Sequence, residues 1–319
     1  MIPRVGIVGV RRVRQGLGEH FARWLVVAGA EVPAFVGRTE ESVAEGRSVL
    51  ADHGIEARGF TSLAALLRDV PVDALVVASP AETHAPWLEE ALAAKLHVLC
   101  EKPLVWGMLA PGRVARSLEV RFADAGLVLR EHCQWEETLP AYFRLHPGVE
   151  DEPLRTFEME LAPSSRGEEM LVDSMSHPLS ILQGLLGPNR IGMSLRAPAF
   201  STRAPAAEAI DVTFEVDDAV LAAPVQVRVR LARCATQPRP AAYAVNGRRA
   251  ERRIRLPDYG FSFADGAREV PLEDPMGRFV ARFAEDLRAG RREPDDESVS
   301  ERMRLLAEIV AAFRAGGGD

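Results

Sequence analysis

Lys102 stands in Glu101-Lys102-Pro103, directly after the short apolar run His97-Val98-Leu99-Cys100 that reads as a buried strand. A Glu-Lys pair is costly to place at the end of a buried strand. Pro103 fixes the backbone there and keeps the lysine at the strand tip. An ammonium in that position can stabilise negative charge developing on a bound oxygen. Further along, Asp173 and His177 are spaced D-x-x-x-H, with Pro178 next. A histidine titrates near neutral pH and can move a proton, and a nearby carboxylate holds its tautomer and favours its charged form. A second reading has Asp173 capping a helix and His177 as a polar residue at a helix start. Because a residue before proline is biased away from the helical region, the sequence does not put the two on one helical face.

The elements around Lys102 alternate. From residue 4 to about 132 the pattern is strand, loop, helix, with strands at Val5 to Val10, Glu31 to Val36, Asp73 to Ala78, His97 to Cys100 and Leu127 to Glu131. Helical stretches lie between them, including one from about Thr39 to His53, one capped by Thr61 or Ser62, and one from Ala85 to Ala94. Strands buried on both faces, each followed by a helix, predict a parallel sheet with right-handed crossovers. Such a doubly wound sheet binds nucleotides at the carboxyl ends of its strands, where Lys102 would then face a ligand.

A dinucleotide fold places G-x-G-x-x-G after the first strand so that the backbone can approach a pyrophosphate. Here the turn reads Gly9-Val10-Arg11-Arg12-Val13-Arg14-Gln15-Gly16-Leu17-Gly18. The first glycine is present, Arg11 stands at the second, and two more glycines arrive late. Either the longer loop still cradles phosphate, with Gly6, Gly9, Arg11 and Arg12 around it and Arg14 adding charge, or the loop has lost dinucleotide binding and the arginines are solvated. At the end of the second strand an NAD site usually carries an acid. This chain has Val36-Gly37-Arg38-Thr39, where Arg38 can pair with a 2′-phosphate and Thr39 can donate to it, so NADP is the expected cofactor and NAD the alternative.

Composition narrows the class. The chain has 319 residues, enough for two cores, with 47% hydrophobic and 27% charged residues and a formal charge of −7. An acidic balance argues against a nucleic-acid partner. Cys100, Cys133 and Cys234 form neither a disulfide framework nor a zinc spacing, which suits a cytoplasmic protein without a metal. The first strand starts too early for a signal peptide, and no apolar run is long enough to span a membrane. The arginines of Arg248-Arg249-Ala250-Glu251-Arg252-Arg253 read as a solvated strand face.

Val76-Val77-Ala78-Ser79-Pro80, then His84, then the run from His97 to Pro103 resembles the glucose–fructose oxidoreductase and inositol dehydrogenase family (Gfo/Idh/MocA). Fainter likeness continues through Gln134-Trp135 and Leu139-Pro140-Ala141-Tyr142, and returns near Asp274-Pro275. The resemblance implies a Rossmann domain, 1–131, and a second α+β domain, 132–319, on a large open, mainly antiparallel sheet whose free face forms a homodimer or homotetramer, with the closing helices either in that second domain or packed back on the first. The residues agree, because Leu154 to Leu161, Ile191 to Arg196, Ile210 to Val216, Val225 to Leu231 and Arg252 to Leu256 nearly alternate apolar and polar types. The resemblance further implies that Ser79, Pro80, His84, Glu101 and Lys102 bind the cofactor, His84 bordering the nicotinamide pocket, and that Lys102, Asp173 and His177 are catalytic. The expected function is an NADP-preferring oxidoreductase acting on a hydroxyl or carbonyl of a small polar molecule such as a sugar or cyclitol. Imine reduction and non-catalytic dinucleotide binding are the alternatives. His132 lies near where substrate is expected to enter, and Trp135 either walls that pocket or packs the domain junction.

Overall fold

The computed structural model describes residues 2–10, 17–187, 193–217, 221–255, 260–290 and 298–316. The chain divides into two compact units, Met1–His132 with Met276–Val299, and Cys133–Pro275 with Ser300–Asp319.

The first unit runs β1 (Arg4–Val8), α1 (Gly18–Val27), β2 (Glu31–Val36), α2 (Glu40–Ala51), β3 (Arg58–Phe60), α3 (Leu63–Asp69), β4 (Ala74–Val77), α4 (His84–Ala93), β5 (His97–Glu101), α5 (Pro111–Asp124) and β6 (Leu129–His132). Its six strands are ordered β3-β2-β1-β4-β5-β6 and all pair in parallel. Every residue of β4 is buried, as a central strand covered on both faces requires. Register aligns Val8 with Val36 and Val77, and Glu101 with His132, so the carboxyl ends of these strands share one edge. The order reverses between β1 and β4, which is the switch point where such sheets bind ligands.

The second unit holds α6 (Leu139–Leu145), β7 (Thr156–Leu161), α7 (Glu168–Ser174), α8 (Ser176–Leu186), β8 (Ser194–Phe200), β9 (Ala209–Asp217), β10 (Val225–Ala232), β11 (Ala241–Val245), β12 (Arg248–Arg255), β13 (Gly260–Ala264) and β14 (Glu269–Leu272). Two further helices close the chain, α9 (Pro275–Ala289) and α10 (Ser298–Ala315). The strands form an eight-stranded sheet, β14-β13-β12-β11-β7-β10-β9-β8, antiparallel except where β7 meets β10. Phe157, Met159, Val227, Val229 and Tyr243 fill its inner face. The other face carries a lattice of cross-strand ion pairs, Arg228–Asp211, Arg230–Glu160 (2.8 Å) and Arg249–Glu160 (2.8 Å). Hydrogen bonding from Arg249 and Arg230 outweighs burial and holds the Glu160 carboxyl below its ordinary range.

Several sequence expectations shift. β8 begins at Ser194, and Ile191 lies outside the described residues, as does Leu256. β11 was not expected, because Ala241-Ala242-Tyr243-Ala244-Val245 is buried on both faces and shows no alternation. Asn246 and Gly247, both at positive φ, make the two-residue hairpin that joins β11 to β12. The Asn246 side-chain carbonyl also accepts from the Arg155 and Thr156 amides, fixing the start of β7. Helix α9 contributes Met276, Val280 and Phe283 to the core of the first unit, beside Val5, Ile7, Phe21 and Leu25. Among the described residues no helix is long and apolar enough to cross a membrane, and no group of three or more His, Cys, Asp or Glu could hold a metal ion.

Candidate functional site

At the tip of β1, Gly9 takes a φ of +87°, and a Cβ there would lie 2.7 Å from the Ala78 carbonyl oxygen. A Cβ on Gly18, the first residue of α1, would fall 2.1 Å from the Gly9 oxygen. Only glycine at both positions lets the amino end of α1 press onto the strand tip, which is what the late glycine does for the altered loop. Leu17 makes no side-chain cap bond to α1. The same turn holds Glu19, whose carboxylate lies 3.4 Å from His20 and 3.8 Å from His53. Gly6 sits inside β1, facing Leu75, Leu66 and Val72, away from the strand tip. Arg11, Arg12 and Arg14, with Gly16, lie outside the described residues.

Arg38 and Thr39 are exposed at the tip of β2. The Thr39 hydroxyl accepts from the Ser42 amide while the Ser42 hydroxyl accepts from the Thr39 amide, a capping box that starts α2 directly after Arg38. Arg38 has no hydrogen bond or ion pair among the described residues.

Beyond β4, Ser79 is half-buried and Pro80 exposed, and the Thr83 hydroxyl lies 2.7 Å from both the Ser79 hydroxyl and the Pro80 carbonyl. His84, expected to border the nicotinamide pocket, is the first residue of α4. It is 1% exposed, and both ring nitrogens face backbone carbonyls, Nε2 to Ser79 at 2.7 Å and Nδ1 to Pro103 at 3.0 Å. It therefore ties the β4 tip to the turn that carries Lys102.

Two more buried side chains hold that turn. Glu131 accepts from the Leu104 amide at 2.8 Å, and His132 Nδ1 lies 2.8 Å from Glu101 Oε1. His132 was expected near the entering substrate, but it is 2% exposed, with its ring edge-to-face between Phe21 and Phe279. Burial pushes the Glu101 carboxyl up, yet the bond and charge of His132, then the charges of Lys102 and His84, bring it below the ordinary glutamate value. Lys102 itself is half-buried. The motif lysine thus projects from a turn braced at Glu101, Pro103 and Leu104. Sequence signals for these braces were thin: Glu131 and His132 close the last strand of the alternating region, and only the parallel register sets them beside Glu101.

In the second unit, α7 and α8 are separated only at Met175, whose φ of −69° and ψ of −22° are helical. Pro178 has no amide hydrogen to give the Ser174 carbonyl, and it is tolerated because it lies in the first turn of α8. His177, although it precedes proline, is therefore helical, and a spacing of four turns Asp173 and His177 toward one side. Asp173 is exposed and His177 half-buried. The His177 ring lies 6.3 Å from that of Trp135, which is buried and itself 6.3 Å from Tyr243. Thr138 bonds the Trp135 carbonyl at 2.6 Å and meets the Tyr243 hydroxyl at 3.1 Å. Burial lifts the Tyr243 phenol well above its ordinary value, so it stays protonated. Trp135 is a packed wall in this unit. Arg252, expected on a solvated face, instead shares the inner face with Ala250 and opposite Phe263, its guanidinium 5.1 Å from the Trp135 ring centre.

Residues 3–119 match a family model described as an oxidoreductase family with an NAD-binding Rossmann fold. The inositol 2-dehydrogenase of Paracoccus denitrificans is 29% identical over 216 residues, 64% of this chain and 60% of that protein. The aligned chain thus spans less than two thirds of this relative. Among solved structures, the 3-ketoreductase KijD10 from Actinomadura kijaniata, in complex with NADP, matches with a TM-score of 0.68 at 20% identity, covering 99% of this chain and 98% of that one. GenD2 from gentamicin A biosynthesis, in complex with NAD, matches with a TM-score of 0.72 at 20% identity, covering 99% and 95%. These two likenesses concern the fold. The family model thus covers most of the parallel-sheet unit, and inositol dehydrogenases are among the proteins to which the chain is similar.

Proposed function

We propose that this protein is an NADP-preferring oxidoreductase acting on a hydroxyl or carbonyl of a small polar substrate of the sugar or cyclitol kind. The observation that carries the cofactor preference is the tip of β2, where exposed Arg38 stands beside the capped start of α2 and no acid occupies the strand end. An acid would repel a 2′-phosphate, whereas a guanidinium pairs with it. The glycine-only contacts at Gly9 and Gly18 fit the close approach of a pyrophosphate to the amino end of α1. Gly9, Arg38, Thr39, Ser79 and Pro80 would hold the nucleotide in this reading, with Arg11 and Arg12 adding charge.

Bound nicotinamide supplies or accepts the hydride. In reduction, His177 donates the proton to the substrate oxygen and Asp173 orients its imidazole; in oxidation the proton returns to His177. The Lys102 ammonium stabilises the charge developing on that oxygen, and its braced turn keeps it aimed. A homodimer or homotetramer through the ion-paired sheet face belongs to the same proposal, and light scattering after size exclusion tests it.

Titration with NADPH and NADH, followed by nicotinamide fluorescence, tests the cofactor reading. NADPH is expected to bind the tighter, and Arg38→Ala to narrow the difference by about tenfold. No binding of either nucleotide would overturn the redox reading, and equal affinities would overturn the preference for NADP.

A further inference from the structure

β12 carries five arginines, and they have two different fates. Arg249 and Arg253 point to the outer face and pair with Glu160 (2.8 Å) and Glu269 (2.9 Å). Arg252, between them in sequence, turns to the inner face. There one terminal nitrogen donates to the Arg239 carbonyl at 2.8 Å, the guanidinium lies over Trp135, and the buried Nε has no hydrogen-bond partner. Among the described residues it pairs with no carboxylate. The charge that acts on it is that of another cation, Arg239. Burial first, and Arg239 second, bring the Arg252 guanidinium down to about 10, so it is still charged at neutral pH.

A half-buried cation without a counter-ion is unfavourable, and the chain had acids to spend on the neighbouring arginines. Position supplies the reason. Trp135 has Arg252 5.1 Å from its ring on one contact and the His177 ring 6.3 Å away on another. The unpaired cation and the proposed proton donor therefore flank one indole in the same unit. A guanidinium recognises carboxylate and phosphate oxygens through paired N–H bonds, and here its Nε–H is unused.

We infer that Arg252 receives an anionic group of the substrate, a carboxylate or a phosphate ester, while the reacting carbon lies toward His177. This rests on the oxidoreductase reading for the role of His177, and it narrows the substrate from neutral sugars and cyclitols to acidic ones. Arg252 is a specificity residue and takes no part in the chemical step.

Calorimetric titration without nucleotide tests it, using myo-inositol, glucuronate and glucose 6-phosphate on wild-type protein, Arg252→Gln and Arg252→Lys. Either anion is expected to bind wild type at least tenfold more tightly than myo-inositol, and which one does so distinguishes carboxylate from phosphate. Arg252→Gln should erase that advantage, Arg252→Lys should keep part of it, and myo-inositol binding should not change. Equal binding of neutral and anionic probes to wild type, no uptake of either anion, or an advantage that survives Arg252→Gln would overturn the inference. Should Arg252→Gln fail to fold by near-ultraviolet circular dichroism, competition on wild type decides: sulfate should displace the bound anion at a concentration where chloride of equal ionic strength does not, and failure to displace it overturns the inference. Loss of anion binding beside intact NADPH binding counts against this inference alone. Anion binding without NADPH binding counts against the oxidoreductase reading alone.

Discussion

Glu101 and His132, the paired carboxyl-terminal residues of β5 and β6, meet at 2.8 Å between Oε1 and Nδ1. Lys102 follows Glu101 in the chain, and the Glu101 carboxylate is held below the glutamate value of 4.5. A lowered folded-state value means that the ionised carboxylate stabilises the fold fully above about pH 4.5, and that this contribution is lost as pH falls through the folded value. Urea denaturation followed from about pH 6 to pH 3 should show wild type losing stability across that window. Glu101→Gln should be less stable at pH 6 and lose less on acidification; an identical pH dependence in the two proteins would contradict the assignment.

His84 spans the carbonyls of Ser79 and Pro103. His84→Phe keeps an aromatic ring and removes the nitrogens that face the two carbonyls, leaving a buried carbonyl oxygen short of a donor. The expected cost is about 2 kcal/mol or more in urea denaturation. Nucleotide affinity and turnover should fall together, because the β4 tip and the Lys102 turn loosen at once. A variant with wild-type stability and turnover would show that the clamp carries no weight.

Lys102→Ala and His177→Ala remove a charge and a proton donor while leaving the folds of their units intact. Each is expected to lower kcat by about 10² to 10⁴ with little change in nucleotide affinity. Steady-state kinetics beside the fluorescence titration separates the two effects. Near-normal turnover in either folded variant would remove that residue from the mechanism.

Gly18→Ala places a methyl group where the Gly9 carbonyl stands, at 2.1 Å. Backbone has to move, so α1 shifts off the strand tip. A loss of about 1 to 3 kcal/mol is expected, as for overpacking elsewhere, together with at least tenfold weaker nucleotide binding. Gly54→Ala is the control, since its Cβ would meet nothing within 4 Å and only its φ of +69° is unfavourable. Equal nucleotide affinity in the Gly18 variant and wild type would mean that the altered loop binds no pyrophosphate.

Much of the first unit was legible from residue order alone. Apolar runs such as Ala74–Val77, buried on both sides, and the cap at Ser62 are local signals, and the elements they predicted are present. The place of Lys102 at the tip of β5 was legible for the same reason, since a polar pair closing an apolar run marks the strand end. Local periodicity did not identify what braces it. His84, Glu131 and His132 reach the Glu101–Leu104 turn from other elements, and only strand register brings them there. β11 escaped notice because a central strand of alanines has neither alternation nor strong β propensity. Arg252 was misjudged for a related reason: in a strand with charges at nearly every position, period-two patterning has no apolar set to mark the inner face. The amino-acid sequence determined which segments become strands and helices, because backbone preference and burial period act within a few residues. Tertiary structure alone decided which polar side chains meet and which cation is left without a partner, because those contacts depend on the register and packing of elements far apart in the chain.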